Sequence, residues 1–255
     1  TEGNNMAIGR DALGGSINGG ETNIAIGNYS LDANTSGDLN IGLGYVSLTQ
    51  NSTGSSNVGI GNSAMQLNQT GSSNTTLGNN SMKSSLSSSY NTAVGAEALF
   101  DANRTADTDG YNTALGYNAG NTGTNDITTG NKNTLLGAST AASAAAGTNQ
   151  TVIGFGASGT ADNSVTIGNS SVTAWYPGSD DTADLGSNSV EFKDLYIDGT
   201  ANLDAVDIDA GAIDGAAIGA NSASTGAFTT ITASTSLDVT GSTGIILEND
   251  ETITN

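Results

Sequence analysis

Cysteine and histidine are both absent from the 255 residues. That removes disulfides, thiol nucleophiles, Cys/His zinc sites and every histidine-based catalytic triad. An extracellular protein of this size without disulfides draws its stability from elsewhere, and close packing between chains is one source. Positive charge is scarce: five Lys and Arg face 25 Asp and Glu, for a net charge of −20. The chain therefore has no basic footprint for nucleic acid and no attraction to anionic lipid. No apolar run approaches the roughly 18 residues of a membrane helix, so no membrane insertion is expected. No basic-then-apolar leader opens the sequence. Proline occurs once, at Pro177, and aromatics make up 5% of the chain.

Glycine is abundant instead, with 36 residues, and Asn, Ser, Thr and Ala supply much of the remainder. This mixture favours turns and β-structure over amphipathic helices. It is organised as a repeat, which decides the architecture. The glycines Gly9, Gly27, Gly44, Gly61, Gly78, Gly95, Gly116, Gly137, Gly154 and Gly168 follow one another at spacings of 18, 17, 17, 17, 17, 21, 21, 17 and 14. Each is preceded by an aliphatic residue: Ile8, Ile26, Leu43, Ile60, Leu77, Val94, Leu115, Leu136, Ile153 and Ile167. An Asn opens most copies, with Gln150 and Ser164 in its place in the last two. Four residues after the glycine, the first six copies carry a second apolar residue: Leu13, Leu31, Leu48, Met65, Met82 and Leu99.

A helix fits this unit poorly, because Gly, Asn, Ser and Thr are unfavourable in helix interiors. Two short strands with a positive-φ turn at the glycine fit better. One coil cannot bury its aliphatic residues alone. Stacking coils at the strand spacing of roughly 4.8 Å aligns like residues into ladders. The expected fold is all-β: a parallel β-solenoid or β-roll of about ten coils, with Asn side chains bonding neighbouring coils. So few large apolar residues per coil leave a thin core, so some ladders are expected to face other chains. The repeat alone also permits a monomeric solenoid. The two 21-residue spacings add residues around Phe100 to Tyr111 and Asn121 to Lys132, which read as tolerated surface loops or as a binding face.

The motifs resemble the head repeats of trimeric autotransporter adhesins, the YadA-like β-roll. Asn163-Ser164-Val165-Thr166-Ile167-Gly168 is the nearest copy and Asn23-Ile24-Ala25-Ile26-Gly27 a looser one. The period here is longer than that family's usual one. The resemblance covers residues 1–172 and implies a left-handed roll in a homotrimer. Further on, Asp180 to Gly186, Phe192 to Gly199, Ile213 to Gly219, Thr225 to Ile231 and Gly244 to Ile253 look like segments of bacteriophage tail-fibre and other virion structural proteins. Together these imply a phage fibre over a bacterial adhesin, whose heptad stalk and membrane barrel are not seen.

Three segments are expected: residues 1–172 as the YadA-like roll, 173–199 as an aromatic-rich cap or connector, and 200–255 as a Gly/Asp-rich β-repeat shaft. Trp175, Tyr176, Phe192 and Tyr196 suggest a small β plug over the open end of the solenoid, or a sugar-binding platform. The shaft reads as a thin β-prism shared by three chains, with strands from Ala201 to Leu247.

Hidden chemistry has few candidates. Gly42-Leu43-Gly44, Gly59-Ile60-Gly61 and Gly154-Phe155-Gly156 lack the helix of a nucleotide loop, and the repeat accounts for them. Asp107-Thr108-Asp109-Gly110 resembles a calcium loop, but position 118 holds Asn where a bidentate Glu is needed. Asp204, Asp207 and Asp209 could gather cations at a three-fold axis or form a solvated face. Asp107, Asp109, Glu97 and Asp101 could supply the paired carboxylates of a glycosidase, without an aromatic groove around them.

The expectation is therefore a protein that is not an enzyme, without metal or cofactor. It would be a structural subunit of an elongated homotrimeric fibre, most simply a virion tail fibre outside the cell that supports host attachment. Its partners would be itself, other virion proteins, and host surface glycans or a receptor. The alternative is the head of a bacterial trimeric adhesin on the cell surface, and the more distant one a polysaccharide-cleaving fibre enzyme.

Overall fold

Each repeat supplies a short apolar or β-branched stretch that can hold extended backbone for only three residues before the glycine. In the computed structural model, which describes residues 3–103, 109–176, 178, 185, 187, 189–198 and 201, every such stretch is a strand. They are β1 (Met6–Ile8), β2 (Ile24–Ile26), β3 (Ile41–Leu43), β4 (Val58–Ile60), β5 (Thr75–Leu77), β6 (Thr92–Val94), β7 (Thr113–Leu115), β8 (Thr134–Leu136), β9 (Thr151–Ile153) and β10 (Val165–Ile167). All ten lie in one parallel sheet in sequence order. Pairing is in register, so the repeat's equivalent residues stack: Ile26 on Leu43, Leu43 on Ile60, Ile60 on Leu77. The chain is an all-β parallel solenoid through this region. Each coil is numbered below by its strand.

The glycine after each strand takes positive φ, between 85° at Gly168 and 151° at Gly78. It is also a point of close approach. A Cβ built on Gly116 would lie 2.6 Å from the carbonyl of Gly137 in the next coil. The ten turn glycines thus form their own ladder, for steric as well as torsional reasons.

Only one strand forms per coil, where two were expected. The segment after the glycine is a turn in which alternate residues are left-handed, such as Tyr29 at φ 61° and Leu31 at φ 52°. That alternation curls the backbone and breaks strand geometry. Coil-to-coil bonding still continues there, with Leu31 N–H donating to Ser47 (3.0 Å) and Leu48 N–H to Ala64 (2.9 Å).

The core sits between the sheet and this turn. It holds middle residues of the inner strands (Ala25, Ala93, Ala114, Leu135, Val152) and the second apolar position (Leu31, Leu48, Met65, Met82, Leu99), all buried. The latter five adopt φ between 46° and 52°. Left-handed backbone costs roughly 1–2 kcal/mol per residue. Burying a Leu or Met side chain contributes about 1.5–3 kcal/mol, enough to offset it.

The chain divides into two compact units, Thr1–Ala183 and Asp184–Asn255. Of the second, the described residues contain one isolated antiparallel bridge, Ser187 to Val190. The aromatics expected to pack a plug expose 78% (Trp175) and 82% (Tyr176) in the first unit, and 64% (Phe192) and 88% (Tyr196) in the second. Among the described residues no strand pairing gathers them into a core. Pro177, Asp107, Asp204, Asp207, Asp209 and the expected shaft strands beyond Ala201 lie outside the described residues. Among the described residues no helix is long and apolar enough to cross a membrane.

Candidate functional site: an exposed apolar sheet face

A three-residue strand points its middle side chain one way and its two outer side chains the other. Here the middle ones point inward, so the outer ones face out of the solenoid along its whole sheet. The first outer column runs Met6, Ile24, Ile41, Val58, then Thr75, Thr92, Thr113, Thr134 and Thr151, and ends at Val165. The second column is the aliphatic ladder read from the sequence. Within it Ile8 is 57% exposed, Leu77 47% and Ile167 49%. Leu43, Leu115 and Leu136 are also exposed, while Ile26, Ile60, Val94 and Ile153 are half-buried. The ladder is therefore not the core of a single chain but an apolar stripe on its surface.

Two buried polar ladders bond successive coils to one another. In the first, the backbone N–H of each opening Asn donates to the side-chain Oδ1 of the previous coil's Asn: Asn40 to Asn23 (2.9 Å), Asn57 to Asn40 (3.0 Å), Asn91 to Asn74 (2.9 Å), Asn133 to Asn112 (3.1 Å). Each Nδ2 then reaches a loop carbonyl, as Asn40 does to Gly54 (2.8 Å) and Asn57 to Gly71 (2.8 Å). The backbone N–H of Gln150 donates the last rung to Asn133 Oδ1 (3.0 Å), but its own Oε1 accepts from Ser143 N–H (2.9 Å), so the series ends.

Sequence reasoning missed the second ladder. Asn34, Asn51 and Asn68 stack on the far side of the same glycine carbonyls, with Asn51 Nδ2 donating to Asn34 Oδ1 (3.0 Å) and to Gly54 (2.9 Å). Asn68 repeats this to Asn51 (2.7 Å) and Gly71 (3.0 Å). The signal was present: three Asn at the 17-residue spacing, matched by Gly37, Gly54 and Gly71. The ladder stops at Ser85, which is too short to continue it. Asn68 Oδ1 and Ser85 Oγ are left buried without a partner.

Of the candidate carboxylates, Glu97, Asp101 and Asp109 lie among the described residues. Asp109 accepts a hydrogen bond from the Tyr111 hydroxyl (2.8 Å), which holds that phenol above its usual pKa. Glu97 lies in a left-handed turn position. Among the described residues no group of three or more acidic side chains could hold a metal ion. Comparison with known protein families, with curated proteins and with solved structures finds no match.

Proposed function

We propose that the chain is a structural subunit of an elongated homotrimeric fibre, most simply a phage tail fibre that supports attachment to a host surface. The observation that carries this is the outward apolar ladder. Ten strands at roughly 4.8 Å make a face about 43 Å long, and three residues of extended chain span about 10 Å across it. That is on the order of 400 Å², the size of an exposed patch that commonly marks an interaction site. A soluble chain seldom leaves so continuous an apolar stripe open to water. The stripe runs along the stacking direction, so a rotation axis parallel to it would cover every coil at once. The three-fold order and the virion setting rest on the resemblance of the repeats and of the C-terminal segments. A bacterial adhesin head would use the same face in the same way. Polysaccharide cleavage draws no support from the described residues.

The test is native mass by light scattering, with cryo-EM of the same sample. A three-chain mass and a slender particle support the reading, and a monomer of 25.1 kDa overturns it. Ile60→Asp sharpens the result. Ile60 is half-buried in one chain, so the solenoid should still fold by circular dichroism. Burying its carboxylates between chains would cost several kcal/mol per ion, and the trimer should fall apart to monomers.

A further inference from the structure

The outward face has two borders. One is the residue two positions before each strand, the other the residue two positions after it. Along most coils these borders are polar or small: Ser56 and Asn62 flank β4, and Ser73 and Asn79 flank β5. Two coils differ. Coil 3 carries Leu39, 57% exposed, on one border and Tyr45, 53% exposed, on the other. Coil 7 carries Tyr111 and Tyr117, 49% and 57% exposed. No other coil has a large apolar residue on both borders. Neighbours in the chain brace two of these four. Tyr45 meets Tyr29 edge-on at 6.2 Å between centroids, and Tyr111 stacks on Tyr90 at 5.1 Å. The Asp109 carboxylate holds the Tyr111 hydroxyl.

We propose that these borders are inter-chain clasps, in which Leu39 of one copy packs against Tyr45 of the next, and Tyr111 against Tyr117 of the next. This rests on the homotrimer proposed above and adds its register. In a closed cyclic assembly the first border of each chain faces the second border of its neighbour. An axis along the stack carries no translation, so a coil meets the same coil. Pairing of both borders on the same coil, twice, is the pattern such an arrangement requires. A face-to-face antiparallel pair would instead set coil 3 against coil 8, placing Leu39 near Lys132. Two desolvated apolar clasps four coils apart would fix axial register, which the repetitive aliphatic ladder between them does not. Each slip of one coil along that ladder still matches aliphatic to aliphatic.

The absence of cysteine makes the test clean. Tyr111→Cys and Tyr117→Cys chains are co-expressed and treated with a short bis-maleimide, and covalent dimers are read on denaturing gels. Strong inter-chain product in the mixture, with little from either single variant alone, is the expected result. Tyr45→Cys with Tyr111→Cys, which belong to different coils, should give at least tenfold less. Native mass is measured on each sample. A three-chain mass with equal linking of matched and mismatched pairs, or with no linking of the matched pair, overturns the clasps and leaves the trimer standing. A monomeric mass overturns both.

Discussion

Coils 2 to 6 and coils 7 to 9 fill the same interior by different means. In the earlier coils the middle residue of the strand is small and the turn supplies the bulk: Ala25 with Leu31, Gly42 with Leu48, Gly59 with Met65, Thr76 with Met82, Ala93 with Leu99. In coil 8 the strand supplies Leu135 and the turn only Ala141. In coil 9 they are Val152 and Ala157. Coil 7 has neither, with Ala114 in the strand and Gly120 where the others place Leu or Met. Its extra residues bring in Ile127, which is fully buried. Its N–H donates to the Gly120 carbonyl (2.9 Å), and its Cδ1 lies 3.8 Å from where a Gly120 Cβ would be. The added length in this coil is thus not only a surface loop. What each coil conserves is filled volume, as close packing demands, and not the position that fills it.

The largest expected effect lies at that substitute. Ile127→Ala should destabilise the solenoid by about 2–5 kcal/mol, since no other side chain of coil 7 can collapse into the space. Gly120→Leu alone should overpack against Leu99 and Leu135 and cost roughly 1–3 kcal/mol. Gly120 has φ 75°, beyond the 46–52° of the buried turn residues, so a Leu there also carries left-handed strain of roughly 1–2 kcal/mol. The double variant should recover stability and show a coupling of at least about 1 kcal/mol in denaturant unfolding. Strict additivity would mean that Ile127 and the missing turn residue do not share one space.

A smaller effect tests the earlier coils. Ser85→Asn would place an amide where Nδ2 can donate to the orphaned Asn68 Oδ1 and to the Ser88 carbonyl, repeating the geometry of Asn68 one coil on. The next rung is Ala102, which leaves room. Satisfying a buried acceptor should raise stability by about 1 kcal/mol, read as a shift in unfolding midpoint. A loss would show that the break in the ladder is filled by something better than the amide.

The comparison also marks what was legible in the sequence. The turn glycines and the aliphatic column stand at fixed spacing, so the coil number, the parallel register and the positive φ at Gly61 or Gly95 could all be read. The Asn-to-Asn bonding followed from the same spacing. Which way the aliphatic column points could not be read. That depends on whether Leu48 or Ile60 claims the interior, and both are apolar residues at equal period. A three-residue strand carries too little alternation to separate them. The second strand was misplaced because nothing local signals that Leu31 or Met65 will accept left-handed backbone. Such strain is sustained only by the burial around it. Ile127 was missed because it occurs once, and a single residue has no period.

The smallest expected effect concerns how the later coils end. Where Gln150 abandons the Asn ladder, Asp162 takes over: its Oδ1 accepts from Thr148 N–H (2.7 Å) and Gln150 Nε2 (3.0 Å). The Thr148 amide, and then Gln150, favour the ionised carboxylate and hold its pKa below the usual range. The unfolded carboxylate titrates near its ordinary pKa of about 3.9. A depressed folded value means the contribution is complete above that pH and disappears as pH falls through the folded pKa. The group is exposed, so salt should weaken the effect. Wild type should therefore lose a small stability advantage over Asp162→Asn between about pH 5 and pH 2, while exchange of the Thr148 amide quickens over the same interval. A difference between the two proteins that stays constant with pH would assign Asp162 a packing role alone. The polar ladder would then end at Gln150 without an anionic cap, and the later coils would be held by their volume filling and backbone bonds.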